Sequence, residues 1–232
     1  MRRAVILAAL VTPLLAACGS SSNSSSGASS TAAAGASMTL APAAGGVSCS
    51  WTDTGDASKP VSLPPTTVAK KNYTATIVTS VGTLHIQLSG TTTPCTVASF
   101  VSLAMQGYFN NTSCHRLGNT AGFQFLQCGD PTGTGAGGPG YTIPDEITGS
   151  ETYKAGTLAM ANTGQPNTGG SQFFMVYGDS KFPPAYTVFG HLDAASIAVL
   201  ARVGAAGTGP VDPNAGGGAP KEKVTFESVT IS

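Results

Sequence analysis

The sequence predicts a mainly β fold, an antiparallel barrel capped by two helices. Three observations predict it. The 232 residues include 30 glycines and 15 prolines, a composition that favours short elements joined by tight turns. Many short apolar or alternating stretches follow one another after residue 70. Two segments with helical spacing lie near the two ends of this series.

The first elements are two strands and a helix. The stretch "YTATIVTSVGTLHIQL" alternates in polarity on both sides of a Val-Gly turn, which is typical of a hairpin. In "TTTPCTVASFVSLAMQGYF", Thr93 is a candidate N-cap, Pro94 takes the first helical position and Gly107 follows the last turn. The core-facing stripe of this helix is predicted to be Val97, Phe100, Val101 and Ala104.

The remaining elements alternate short strands with loops. Strands are predicted around "CHRL", "FQFLQ", "GTLAMAN", "QFFMVY" and "TVFGHL". A second helix fits "DAASIAVLARVG", with Asp193 as its cap and Gly204 as its stop. The Gly- and Pro-rich "GTGPVDPNAGGGAPKEK" predicts a loop, and "VTFESVTIS" predicts a closing strand.

The N-terminus predicts export and attachment to a membrane. Arg2 and Arg3 precede an apolar stretch that ends in "LAAC", and residues 1–18 resemble a bacterial lipoprotein signal with Cys18 as the lipidated residue. An ordinary secretory signal with a chance cysteine is the alternative. Residues 19–70, rich in Ser, Ala, Gly and Pro, are interpreted as a tether before a domain at 71–232. Within the tether, residues 45–70 leave two possibilities open: Trp51 docks on the domain, or the linker continues.

Four further cysteines, Cys49, Cys95, Cys114 and Cys128, are expected to pair in an exported chain. Four cysteines allow three connectivities, and the sequence does not choose among them. We expect at least one bond among the last three, with Cys49 tying the linker to the domain if a second forms. A metal site at Cys114, His115 and Cys128 is the alternative, disfavoured because adjacent strand residues face opposite sides.

Composition and motifs exclude several classes of function. The formal net charge is zero and only 9% of residues are charged, so the basic surface of a nucleic-acid-binding protein is missing. The run "GTGAGGPG" lacks the Lys-Ser/Thr pair of a phosphate loop, and no GxSxG elbow of a serine hydrolase occurs. The adjacent Asp145 and Glu146 are expected to be solvated rather than a glycosidase pair.

Several motifs together resemble one family. The segments "CHRL…FQFLQCGDPTGTGAGGPGY", "GTLAMAN", "PNTGGSQFFMVY" and "YTVFGHL" are similar to the cyclophilin family of peptidyl-prolyl cis/trans isomerases, over residues 72–232. The "QCGDPTGTG" stretch is most similar to bacterial members, in particular an actinobacterial lipoprotein form. The resemblance implies a closed eight-stranded barrel and catalysis without a cofactor or metal.

The resemblance also implies the roles of individual residues. Arg116 would be catalytic, by donating to the prolyl nitrogen of the twisted amide. The substrate-binding residues would be Phe125, Gln127, Ala161, Asn162, Gln172, Phe174, Phe182, Pro183 and Tyr186.

Some positions stay open at this stage. One pocket position is filled by Phe123 or by Gln124, because the loop between Arg116 and Gln127 is longer than usual. Phe173, next to Phe174, is expected in the core. An extra residue, Gln165, should lengthen a surface turn.

Two alternatives concern the neighbours of Arg116. Arg116 could instead pair with an acidic residue such as Asp130. His115 precedes Arg116 and is expected to face the opposite way on the strand.

The predicted function is therefore acceleration of X–Pro rotation in exported or envelope proteins. The expected location is the extracytoplasmic face of the cell membrane, through a lipid anchor on a monomeric protein that binds proline-containing polypeptides and no nucleic acid. A non-catalytic peptide-binding or chaperone module on the same fold is the alternative, because a fold does not by itself establish turnover.

Overall fold

The structure is a computed structural model and describes residues 40–214 and 216–232. The predicted signal peptide, its Cys18 and the first part of the tether lie outside the described residues. The helices are α1 (Pro94–Met105) and α2 (Ala194–Ala206). The strands are β1 (Val47–Ser48), β2 (Thr52–Ala57), β3 (Thr67–Val68), β4 (Tyr73–Thr79), β5 (Gly82–Leu88), β6 (Thr112–Ser113), β7 (Arg116–Thr120), β8 (Phe123–Cys128), β9 (Pro139–Thr142), β10 (Thr157–Met160), β11 (Phe173–Gly178), β12 (Val188–Leu192) and β13 (Thr225–Ile231).

The main sheet is antiparallel, as predicted, but it has nine strands rather than eight. Its order is β6-β13-β4-β5-β12-β10-β11-β8-β7. The two end strands, β6 and β7, are consecutive in the chain, and the Cys114 and His115 amides between them donate to Val224 and Gln127 on opposite sides. Within the described residues no ladder joins β6 to β7, so the predicted closure is not part of this strand order.

Helix α1 has the predicted bounds, but its N-terminus is capped differently. The Thr93 hydroxyl donates to the Ser89 carbonyl and makes no cap hydrogen bond. The Glu146 carboxylate accepts instead from the Cys95 and Thr96 amides, at 3.0 and 2.8 Å. A carboxylate is favourable there because the first amides of a helix lack partners and carry partial positive charge. The expectation that Glu146 is merely solvated was therefore wrong.

Helix α2 follows its prediction more closely. The Asp193 carboxylate accepts from the Ser196 amide at 2.8 Å, which is the predicted N-cap. The helix runs past Gly204 to Ala206, and Gly207 is its C-cap, where a φ of 87° suits a glycine. Gly204 lies against the Tyr177 ring instead, so its small size serves packing rather than termination.

The main hydrophobic core contains residues of α1, α2 and the nine-stranded sheet. The four stripe residues of α1 are all buried, as predicted. Phe100 contacts Phe109 and Phe173, with ring centroids 5.1 and 5.4 Å apart, and Phe173 also contacts Phe189. Such aromatic pairs add stability beyond their buried area.

Residues 40–70 pack on the domain. The predicted tether, which extends to residue 70, is therefore too long, and the predicted domain boundary at residue 71 lies inside the packed region. Cys49 is bonded to Cys95 of α1, β1 pairs with β3, and β2 pairs with β9. The Trp51 ring lies edge-on to Tyr141, with centroids 5.9 Å apart. Of the two possibilities left open for this segment, docking is therefore the one observed, because Trp51 and a disulfide offset the cost of ordering it.

The second disulfide joins Cys114 to Cys128, so the expectation of one bond among the last three cysteines and one from Cys49 is met. Neither thiol is then available for the alternative metal site. No helix in the described part of the chain has the length and hydrophobicity needed to cross a bilayer.

The two disulfides should differ in their effect on stability. They close segments with sequence separations of 46 and 14 residues. In the chain-entropy model, the longer one stabilises by about 4 kcal/mol and the shorter by about 3 kcal/mol. We expect Cys49→Ala/Cys95→Ala to lower the free energy of unfolding more than Cys114→Ala/Cys128→Ala, as measured by guanidinium denaturation. An unchanged midpoint in the first variant would contradict docking by the disulfide.

Candidate active site

The β7–β8 hairpin positions the central pair of the site. Its register places Arg116 directly opposite Gln127. The Arg116 Nη1 donates to Gln127 Oε1 at 3.0 Å, and its Nε donates to the Gly216 carbonyl at 2.8 Å. The guanidinium is thus held from two sides, by the neighbouring strand and by the loop before β13. Because the planar guanidinium can donate to both acceptors at once, the orientation of the Arg116 side chain is fixed.

A chain of amide side chains continues from Gln127. Its Nε2 donates to Gln172 Oε1 at 2.9 Å, and Gln172 Nε2 donates to the Gly135 and Gly137 carbonyls at 2.8 and 2.9 Å. Each amide accepts on one end and donates on the other, so neither can flip without losing its partners. The orientation of Arg116 therefore depends on the glycine-rich loop two side chains away.

The buried Asp130 orders that loop. Its carboxylate accepts from the Thr132 amide and hydroxyl and from the Gly135 amide. A side chain at Gly137 would collide with the same carboxylate, which explains the glycine there. The glycine run therefore belongs to the site as a structural turn. These contacts give Asp130 its partners within its own loop, which argues against Asp130 as the acidic partner of Arg116. The acidic residue whose charge acts on Arg116, against the lowering of its pKa by burial, is Asp212.

Next to Arg116 lies an aromatic pocket of about 230 Å³. The Phe125 ring contacts Phe123, Phe174 and Phe182, with centroid distances of 4.8, 5.8 and 5.5 Å. The Arg116 guanidinium carbon lies 5.0 Å from the Phe125 centroid, within the range of a cation–π contact. The complete lining is Arg116, Phe123, Phe125, Gln127, Ala161, Asn162, Phe174, Phe182 and Tyr186.

Comparison with known proteins identifies the family to which this chain is similar. A family model described as "Cyclophilin type peptidyl-prolyl cis-trans isomerase/CLD" matches residues 74–231. The chain belongs to this cyclophilin family.

Relatives of the cyclophilin family support the assignment along most of the chain. "Probable peptidyl-prolyl cis-trans isomerase B" of Mycobacterium tuberculosis is 44% identical over 207 residues, covering 80% of this chain and 64% of that protein. The chain thus spans 64% of this relative's length. The protein of the same description from Mycobacterium leprae is 42% identical over 204 residues, covering 80% of this chain and 67% of the relative.

A solved structure gives the same result for the fold. The cyclophilin type peptidyl-prolyl cis-trans isomerase of Cryptosporidium parvum matches with a TM-score of 0.58 and 32% sequence identity. The match covers 70% of this chain and 98% of that one. A second structure of that protein was determined in the presence of the dipeptide Ala-Pro, with a TM-score of 0.56.

The cyclophilin pocket settles two positions that the sequence left open. Phe123 lines it, whereas the Gln124 amide donates to the Ser180 hydroxyl and its side chain lies against Gly178. On β11, Phe173 points into the core and Phe174 into the pocket, as expected from the alternation of side chains along a strand. The extra Gln165 is exposed in a turn, where its carbonyl accepts from the Thr168 hydroxyl.

Not every predicted site residue lies in the cyclophilin pocket. Pro183 is exposed to solvent and does not line the pocket. Gln172 lies behind the pocket and supports Gln127. His115 and Arg116 both line a separate surface depression of about 510 Å³. The His115 side chain therefore does not face fully away from Arg116.

Sequence reasoning also missed two contributions to the site. The Tyr153 ring packs on Phe174 and Phe182, and its hydroxyl donates to the Tyr186 carbonyl. Gly216 supplies an acceptor for Arg116 from a residue 100 positions away. Neither residue lies in a recognisable motif, so no local pattern could have identified them.

The charges around Arg116 follow from burial and hydrogen bonding. Burial lowers the pKa of Arg116 below its usual value. Burial likewise lowers the pKa of His115 below 6.5, which favours a neutral imidazole at neutral pH. For Asp130, burial alone raises the pKa, but hydrogen bonds from Thr132, Gly137 and Gly135 outweigh it and bring the pKa below its usual value. At neutral pH, Arg116 is therefore cationic. Asp130, which orders the glycine-rich loop, is ionised.

Proposed function

We propose that this domain is an active peptidyl-prolyl cis/trans isomerase. One observation carries the proposal: Arg116, fixed by Gln127 and Gly216, borders an aromatic pocket of about 230 Å³. The pocket offers a proline ring an apolar surface, and the guanidinium offers a donor beside it. The family and the names of its relatives support the same activity.

The chemistry requires a donor that prefers the twisted amide. Rotation about an X–Pro bond crosses a barrier of about 18–20 kcal/mol, because resonance gives the C–N bond partial double-bond character. At the top of the barrier this resonance is lost and the prolyl nitrogen regains its lone pair. A guanidinium N–H aimed at that nitrogen binds the twisted state better than either planar isomer, and such a difference in binding is catalysis.

The surroundings of Arg116 suit that role. A preorganised donor does not need to reorient during the reaction, and the hydrogen bonds from the guanidinium to Gln127 and Gly216 supply this order. The Phe125, Phe174 and Phe182 rings would hold the proline ring while the residue before it rotates. Asn162 uses its side-chain amide to donate to the Ala185 carbonyl, which leaves its main chain as the group to contact substrate.

We further propose that the protein acts as a monomer on exported or envelope proteins from the extracytoplasmic face of a membrane, anchored through lipid on Cys18. The support comes from "LAAC" at residues 15–18 and from the two disulfides, which persist in oxidising compartments. A single acyl chain gives only marginal binding, so stable anchoring requires more than one chain.

The first test removes the proposed donor. We expect Arg116→Ala to lower kcat/KM for a short X–Pro peptide by about 100-fold or more, as loss of one preorganised donor does elsewhere. Isomerisation is measured by NMR exchange between the cis and trans signals. Arg202→Ala is the matched control, because Arg202 is exposed on α2 and pairs with Glu222.

Two outcomes would contradict the proposal. Equal rates in a folded Arg116→Ala variant would remove this residue from the mechanism. Peptide binding without isomerisation by the unaltered protein would instead favour the non-catalytic binding module.

The mechanism also predicts the pH profile. Because no proton is transferred, kcat/KM should vary by less than about twofold between pH 6.5 and 9. His115 is neutral above its lowered pKa, and Arg116 keeps its charge across this range, since an arginine pKa ordinarily lies above ~12. A bell-shaped profile that disappears in His115→Asn would show that the histidine is catalytic.

The anchor is tested separately. Cys18→Ala should move the protein from the membrane fraction to the soluble fraction, or block processing of residues 1–18, when expressed in a bacterium that lipidates exported proteins. Fractionation and intact-mass analysis read out the result. A variant that stays membrane-bound with the mass of the unaltered protein would rule out lipid on Cys18.

A further inference from the structure

Residues 40–70, here called the docked segment, precede the part of the chain that matches the family model. Specific contacts nevertheless fix this segment on the domain. Cys49 is bonded to Cys95 of α1, and the Lys59 ammonium donates to the Gly107 carbonyl just beyond that helix at 2.6 Å. Because it is attached to α1 by a covalent bond and by hydrogen bonds, the docked segment can support the other parts of the domain that it contacts.

The docked segment also contacts the glycine-rich loop that follows β8. Strand β2 pairs with β9 at the end of this loop, with Ala57 opposite Pro139. Just after β2, the Ser58 amide donates to the Gly138 carbonyl at 2.9 Å, and the Gly138 amide donates to the Ser58 hydroxyl at 3.0 Å. Both backbone polar groups of this glycine are therefore bonded to one serine of the docked segment.

The contact made by Ser58 lies next to a carbonyl that orients the amide side chains behind Arg116. The Gly137 carbonyl, one residue earlier in the loop, accepts from Gln172 Nε2 at 2.9 Å. Gln172 in turn accepts from Gln127, which accepts from Arg116. A shift of the loop at this point would therefore be transmitted to the guanidinium through two side chains.

The second carbonyl that accepts from Gln172 is held from within the loop. It belongs to Gly135, whose amide donates to the Asp130 carboxylate at 2.7 Å. Glycine backbone has more conformational freedom than that of other residues, so hydrogen bonds to other parts of the chain largely determine the shape of such a loop. Asp130 and Ser58 supply these bonds on the two sides of the carbonyls that Gln172 uses.

We propose that Ser58 is a positioning residue, through which the docked segment keeps Gln172, Gln127 and Arg116 in the arrangement that isomerisation requires. This inference rests on the proposed isomerase function. A donor stabilises the twisted amide best when it is oriented before the reaction begins. Loss of the Ser58 contact would let the loop and both amides sample further orientations, so that Arg116 is aligned in a smaller fraction of molecules.

The effect should be on kcat rather than on KM. The aromatic pocket that would hold the proline ring is not lined by Ser58 or by Gly138. Binding of the planar substrate is therefore retained, whereas an interaction needed only in the transition state is weakened.

Three variants test this role. Ser58→Ala removes the hydroxyl that accepts from Gly138, and Ser58→Thr keeps a hydroxyl at the same position. Ser62→Ala is the matched control, because Ser62 is an exposed serine of the docked segment that bonds Gln106 through its main chain. The values of kcat and KM are measured for a short X–Pro peptide.

We expect Ser58→Ala to lower kcat at least about threefold with KM unchanged, and we expect Ser58→Thr and Ser62→Ala to keep the kcat of the unaltered protein. The expected loss is moderate because Ser58 is exposed, and water can partly replace its hydroxyl. An unchanged kcat in Ser58→Ala, an equal loss in Ser62→Ala, or a change confined to KM would overturn the proposal.

A second measurement does not depend on turnover. The side-chain amide protons of Gln127 and Gln172 should exchange with solvent at least about threefold faster in Ser58→Ala than in Ser62→Ala, as measured by NMR, because their hydrogen-bonded arrangement opens more often. If the unaltered protein isomerised no peptide, the proposed function would fail and this exchange rate would decide the role of Ser58 by itself. Faster exchange in Ser58→Ala alone would support the positioning of the amides, and equal exchange in both variants would reject it.

Discussion

The hydrogen bond from Arg116 to Gln127 is the interaction on which the site depends. Arg116 is half-buried, and its hydrogen bonds to Gln127 and Gly216 offset the cost of taking the charge partly out of water. Gln127 can accept from Arg116 only while its other end donates to Gln172, whose amide is in turn held by the glycine loop. A donor aimed at a reacting nitrogen is thereby supported by backbone carbonyls, which are more rigid than side chains alone.

Because side chains alternate along a strand, the sheet has core residues on one face and pocket residues on the other. Along β11, Phe173 faces α1 and contacts Phe100 and Phe109, whereas Phe174 faces the pocket and contacts Phe125. The core residues are closely packed and cannot change volume without cost. The pocket rings are partly open, and they leave the space that the proposed substrate needs.

The segment before residue 70 adds a second connection to the site. It is bonded to α1 through Cys49–Cys95 and to the glycine loop through Ser58, and the Cys114–Cys128 bond lies beside the Arg116–Gln127 pair. The loop that orients Gln172 is therefore held from inside by Asp130 and from outside by Ser58. Because the two contacts are made to glycines on either side of the carbonyls that accept from Gln172, both help to fix the orientation of the amide side chains.

The sequence by itself predicted both helices and most strands of the main sheet, but not β1, β2, β3 or β9. Most site residues were identified through the resemblance of its motifs to the cyclophilin family. Strand alternation, the Asp193 cap and the motifs around Arg116 and Phe174 are local patterns, so they could be predicted. Tertiary structure decided the disulfide pairing, the choice of Phe123 over Gln124, the capping of α1 by Glu146 and the docking of Trp51. It also placed Gly216 at the site and left Pro183 outside it. Each of these depends on contacts between residues far apart in the chain, and a local pattern carries no information about which distant surfaces meet.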